Sequence, residues 1–194
     1  PWVEKGKAWA QDMLGEMYRV GEGVDQSYQQ ARELFELSAS QGQAISQYNL
    51  GVMYRDGQGV DQNYERAAEY FEAATRQGMT IAQYNLGVMY RDGQGVDQSY
   101  ERAAENWEAA ARQGYANAQS NLGLLYAQGL GVEQSNETAR QLWMKAAEQG
   151  VEGVIENLQI LDKKEGRTTP KRCSLCDTPE TPTHKINDCP CFGA

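Results

Sequence analysis

The residues with the most explicit chemistry sit at the C-terminal end: Cys173-Ser-Leu-Cys176, then His184, then Cys189-Pro-Cys191. A CxxC turn presents two thiolates to one metal ion, and Zn²⁺ takes four N or S ligands in a tetrahedron. Cys173, Cys176, His184 and Cys189 would make such a set, with Cys191 in reserve. His184 is the only histidine of the chain, and it falls inside this cluster. The segment between these residues is nearly devoid of apolar side chains, so it cannot fold by burying a core. Bound zinc and a tail with free thiols are the two alternatives, and zinc is the one cofactor expected.

Catalysis has little to stand on. A nucleophile–base set is missing from the rest of the chain, because its sole histidine lies in the tail. Gly57-Gln58-Gly59 and Gly93-Gln94-Gly95 superficially resemble phosphate loops, but they follow helical patterns and lack the lysine such loops use. The chain is expected not to be an enzyme, with a hydrolase as a remote alternative.

A second set of residues suits recognition. Tyr48, Val52 and Arg55 lie on one side of a helical pattern, opposite Leu50, and Tyr84, Val88 and Arg91 repeat them 36 residues later. Tyr and Arg are favoured where proteins meet. These six residues are expected to form a stripe on a concave surface that binds a peptide or partner protein. The alternative is that the tyrosines pack in the seam between repeats and the arginines pair with Asp56 and Asp92.

What positions this stripe is a repeat. Gln43–Gly78 and Met79–Gly114 are identical at 29 of 36 positions, and Lys7–Gly42 and Tyr115–Gly150 keep the same frame. Leu14, Leu50, Leu86 and Leu122 fall in register, as do Gly15, Gly51, Gly87 and Gly123. A fixed period of this length predicts an all-α stack of helical hairpins in place of a closed globule. In copy three, Ala82, Leu86, Met89 and Tyr90 mark one face of a first helix over 81–91. Gly87 costs roughly 1 kcal/mol there relative to Ala, so its return in every copy predicts a helix crossing too close for a Cβ. Gly93 and Gly95 end the helix at positive φ, Val96 plugs the turn, and Asp97 or Ser99 caps the second helix. That second helix, about Tyr100–Gln113, presents Ala103, Trp107, Ala110 and Ala111. Phe35, Phe71, Trp107 and Trp143 are its bulky core residues in the four copies.

This pattern of Ala, Leu-Gly, Tyr, Gly-x-Gly-Val, paired Ala and closing Gly resembles the Sel-one-like repeat (SLR) family, relatives of the tetratricopeptide repeats. The resemblance covers residues 7–150 in copies 7–42, 43–78, 79–114 and 115–150. It implies a right-handed α-solenoid that scaffolds complexes and carries no catalytic residues. Some secreted bacterial members are laced by disulfides and linked to penicillin binding, but their repeat cysteines are absent here. In copy one, Asp12 and Glu16 stand where copies two and three have Tyr and Val, which suggests an end.

Gly6 lies 36 residues before Gly42, so 1–6 reads as the remnant of an upstream repeat. Val151–Lys164 reads as a lone capping helix over residues 151–165, with Val154, Ile155, Leu158 and Leu161 covering the apolar end of copy four. A polar linker, 166–172, leads to the tail, 173–194. The tail resembles the opening of a MYND-type zinc finger, a small two-zinc peptide-binding module. That resemblance implies Cys173 and Cys176 in a first site, Cys189 in a second, and no ligand role for His184.

The net charge is −9, which argues against binding nucleic acid through its phosphates. No apolar run approaches the ~20 residues that cross a bilayer. Cysteine-free repeats suit a reducing compartment, hence an intracellular, cytoplasmic setting. The expected function is a non-catalytic scaffold or adaptor. The alternative is a regulatory subunit that activates an enzyme or ubiquitin-ligase complex, its zinc tail recruiting a second partner.

Overall fold

The computed structural model describes residues 2, 3 and 5–167, which form helices and turns and no strand. The first compact unit, Pro1–Tyr115, holds α1 (Ala8–Val20), α2 (Tyr28–Ser40), α3 (Ala44–Asp56), α4 (Tyr64–Arg76), α5 (Thr80–Asp92) and α6 (Tyr100–Arg112). Each odd helix pairs with the even helix that follows, and α3 and α5 also pack on the even helix before them. The second unit begins at Ala116 and holds α7 (Ala116–Gln128), α8 (Asn136–Glu148) and α9 (Val154–Glu165), packed in that order. These are helical hairpins in series, the all-α repeat architecture expected.

Local chemistry sets the helix ends. Ser27, Asn63, Ser99 and Ser135 accept from the N–H three residues on, so Ser99 and not Asp97 caps its helix. Ser99 immediately precedes α6, where its side chain reaches the free amide. The odd helices α1, α3 and α5 end at Gly21, Gly57 and Gly93 in the left-handed region. A device unseen in the sequence locks each of these turns. Gln26, Gln62 and Gln98 donate to the carbonyls of Arg19, Arg55 and Arg91 at 2.8, 2.6 and 2.7 Å.

The mid-helix glycines have a more specific cause than a close crossing of backbones. A Cβ at Gly51 would stand 2.7 Å from the Phe71 ring, and one at Gly87 would stand 2.4 Å from the Trp107 indole nitrogen. The even helix thus sets an aromatic ring against the glycine of its partner. Trp107 donates to the Tyr84 carbonyl at 3.1 Å, which satisfies its one polar group. Backbone closeness appears instead at the next turn. A Cβ at Gly95 would fall 2.1 Å from the Tyr64 carbonyl carbon, so the third hairpin's loop rests on the start of α4. Ala31, Phe35, Leu50 and Met53, all 0% exposed, form the core between α2 and α3.

In the second unit α9 seals α8: Val154 and Leu161 pack with Ala139, Trp143 and Ala146. The expected face needs one correction, since Ile155 is 39% exposed. Val154, Leu158 and Leu161 occupy the seam at i, i+4 and i+7, and Ile155 lies one residue, about 100°, off it. Arg140 ties α8 to Asp162 and Glu165 of α9, and Asn136 adds a bond to Glu165 at 2.9 Å.

Candidate partner-binding surface

The stripe stands on α3 and α5. Tyr48, Val52 and Arg55 fall at i, i+4 and i+7, as do Tyr84, Val88 and Arg91, so each triplet shares a helix face. All six are half-buried, whereas Leu50, Met53, Leu86 and Met89 on the core side are at most 3% exposed.

The tyrosines do pack against neighbouring rings. Tyr48 leans on Phe71 with ring centres 5.7 Å apart, and Tyr84 meets Tyr115 at 5.1 Å. Burial pushes the Tyr48 hydroxyl pKa up, opposed by the positive charges of Arg55 and Arg19. The arginines do pair with their neighbours. Arg55 grips both oxygens of Asp56 at 2.7 and 2.9 Å and also donates to Asn85 at 2.8 Å. Arg91 grips Asp92 at 2.6 and 2.8 Å, and that hydrogen bonding holds the Asp92 carboxyl below the usual range. Such half-exposed pairs add little stability, but they fix the guanidinium planes.

Several residues of this face went unnoticed in the sequence. Arg19 holds the register of Arg55 and Arg91 and pairs with Glu16 at 2.8 Å; the period alone could have found it. Trp9 and Ile45, 36 residues apart, are 50% and 44% exposed, and Ile45 lies seven residues before Val52 on the same side. Tyr115 lies outside the register of the stripe, and only the folded chain brings it to Tyr84. Asp12, in place of a tyrosine, accepts from the Ser46 hydroxyl at 2.6 Å.

Cys173, Cys176, His184, Cys189 and Cys191 lie outside the described residues. Among the described residues no group of three or more His, Cys, Asp or Glu is placed to hold a metal ion. No described helix is long and apolar enough to cross a membrane.

The Sel1 repeat family model matches residues 10–43, 44–79, 80–115 and 116–151. A protective antigen of uropathogenic Escherichia coli with an SLR fold is 32% identical at a TM-score of 0.82, over 86% of this chain and 36% of that one. A Sel1 repeat protein from Oxalobacter formigenes is 29% identical at a TM-score of 0.79, over 84% of this chain and 68% of that one. An immunity protein from Pseudomonas aeruginosa is 26% identical at a TM-score of 0.50, over 76% and 55%. The chain therefore spans 36% of the length of the E. coli antigen. No curated protein matches it. Sel1 repeat proteins are generally protein-interaction scaffolds, typically non-catalytic ones. With four consecutive matches over most of its length, the chain belongs to the Sel1 repeat family.

Proposed function

We propose that this chain is a scaffold that binds a peptide or partner protein on the face built by Tyr48, Val52, Arg55, Tyr84, Val88 and Arg91. The observation that carries the reading is selective burial. The core side of α3 and α5 is closed, while this face keeps tyrosine, valine and pinned arginine half open to solvent. Side chains of this kind, held in place before contact, lose little entropy on binding. The test compares partner capture by the native chain and by Tyr48→Ala with Tyr84→Ala, after checking that the two melt alike. Loss of the captured set is expected; unchanged capture would overturn the reading.

A second element of the proposal rests on the tail. Its CxxC and the only histidine of the chain favour a zinc-stabilised module that recruits a second partner, with Cys173, Cys176, His184 and Cys189 as the four ligands and Cys191 in reserve. Zinc content of metal-replete protein tests it, and a chain that retains none removes it. Removing residues 166–194 should then delete one set of partners and spare the other, as an adaptor or regulatory subunit requires. Cysteine-free repeats fit a reducing, cytoplasmic compartment for such a protein.

A further inference from the structure

Large exposed apolar side chains gather on α1. Trp9, Met13 and Val20 fall at i, i+4 and i+11, within about 40° of one another around the helix. All three are exposed, Met13 by 60%. Trp2 extends the patch, its ring centre 6.2 Å from that of Trp9. Copies two and three carry polar residues at two of these positions: Asn49 and Asn85 for Met13, Asp56 and Asp92 for Val20. Nor is this patch the seam between hairpins. The seam residues Leu50 and Met53 of α3 correspond to Leu14 and Met17 of α1. The positions of Trp9 and Val20 stay open in copy two, where Ile45 and Asp56 are exposed although α1 and α2 precede them. A hairpin packed ahead of α1 in the same manner would therefore leave Trp9 and Val20 exposed. A contiguous apolar patch of this kind marks a contact surface.

We propose that this face of α1 is the interface through which two copies of the chain pair, α1 against α1 in antiparallel order. The charges that flank the helix select a second copy as the occupant. Lys5 and Lys7 outnumber Glu4 ahead of α1, and Glu22 and Asp25 follow it. Lys5, Lys7, Glu22 and Asp25 are all exposed. Arg19, near the acidic end, is taken up by Glu16. One end of the helix is thus basic and the other acidic, with an apolar strip between. Such a surface is complementary to itself turned end for end, as an isologous two-fold contact requires. With the axis between Leu14 and Gly15, Lys7 faces Glu22 of the other copy and Trp9 faces its Val20. The polarity belongs to α1 alone. At the positions of Lys5, Lys7 and Glu22, copy two has Gln41, Gln43 and Gln58, and copy three has Gln77, Met79 and Gln94. Pairing through α1 is independent of the docking face on α3 and α5.

Sedimentation equilibrium of the full chain over a series of concentrations reads the mass directly. A concentration-dependent rise from the 21.6 kDa chain to twice that mass is expected. Met13→Asn with Val20→Asp installs the residues that copies two and three carry, so the helix should be kept, as circular dichroism checks. That pair should weaken association about a hundredfold, near tenfold for each apolar side chain lost from the contact. Lys7→Glu and Glu22→Lys should each weaken it by about threefold at low salt, and the two together should restore it. Both residues are exposed and lie outside the helix, so this exchange reports on the interface even if the apolar pair of substitutions disturbs the fold. A monomer at every concentration up to about 1 mM would overturn the proposal. So would a mass that keeps growing past the dimer, as open head-to-tail stacking gives. Undiminished pairing by a folded Met13→Asn with Val20→Asp, or a charge exchange that fails to restore the dimer, would overturn it equally.

Discussion

A methyl group added at Gly87 would stand 2.4 Å from the indole nitrogen of Trp107, a ring that is 1% exposed and hydrogen-bonded to Tyr84. The ring has nowhere to retreat, so Gly87→Ala should cost about 3 kcal/mol, the upper end of overpacking. Gly114→Ala is the control. Its φ of +87° strains any side chain but nothing lies within 4 Å, so about 1 kcal/mol is expected. Urea melts of the two variants separate contact from strain, and equal losses would count against the ring-on-glycine account. Tyr90 makes a pH prediction. Burial first, and then its hydrogen bond to Glu72, push its hydroxyl pKa up to about 12. An unfolded tyrosine ionises near pH 10. A raised folded value means this stabilisation is complete below pH 10 and is lost as pH climbs towards 12. Tyr90→Phe should therefore flatten the alkaline fall in melting temperature over that window; an unchanged slope would contradict it.

At the scale of elements, α9 is held by an apolar seam and a charged latch. Arg140 is 14% exposed and Asp162 9%, so removing the cation strands a nearly buried carboxylate. Arg140→Ala should cost about 3 kcal/mol and release α9 first, because Glu165 loses the same partner. Hydrogen exchange reads this directly: α9 amides should lose protection ahead of α7 and α8, and uniform loss would argue against a separable cap. The helices themselves were legible from short-range pattern. Ala82, Leu86, Met89 and Tyr90 are all buried on α5, as their spacing requires. The ring on each glycine and the glutamine locks at Gln26, Gln62 and Gln98 were not. Periodicity records which residues recur but not which atom of one helix meets which atom of another.

For the whole molecule, charge is the property that acts at long range. With a net −9, the chain should leave duplex DNA unretarded in a mobility-shift assay at about 0.1 M salt. Retardation that vanished at higher salt would reveal a basic surface and overturn this expectation. The docking face proposed above calls instead for short-range complementarity with its partner. The family match and the helical hairpins agree on the repeat architecture.

The 36-residue period by itself determined the repeat, the helical class and the register of Tyr48, Arg55, Tyr84 and Arg91. These follow from a helix's own 3.6-residue turn and from translation of one hairpin onto the next, both of which are written linearly. Tertiary structure alone decided that Arg55 reaches Asn85 and that Tyr115 turns back to Tyr84. It also decided that Ile155 faces solvent while Val154 is buried. Those outcomes depend on side chains competing for the same few ångströms of space, and that competition begins only when distant segments meet.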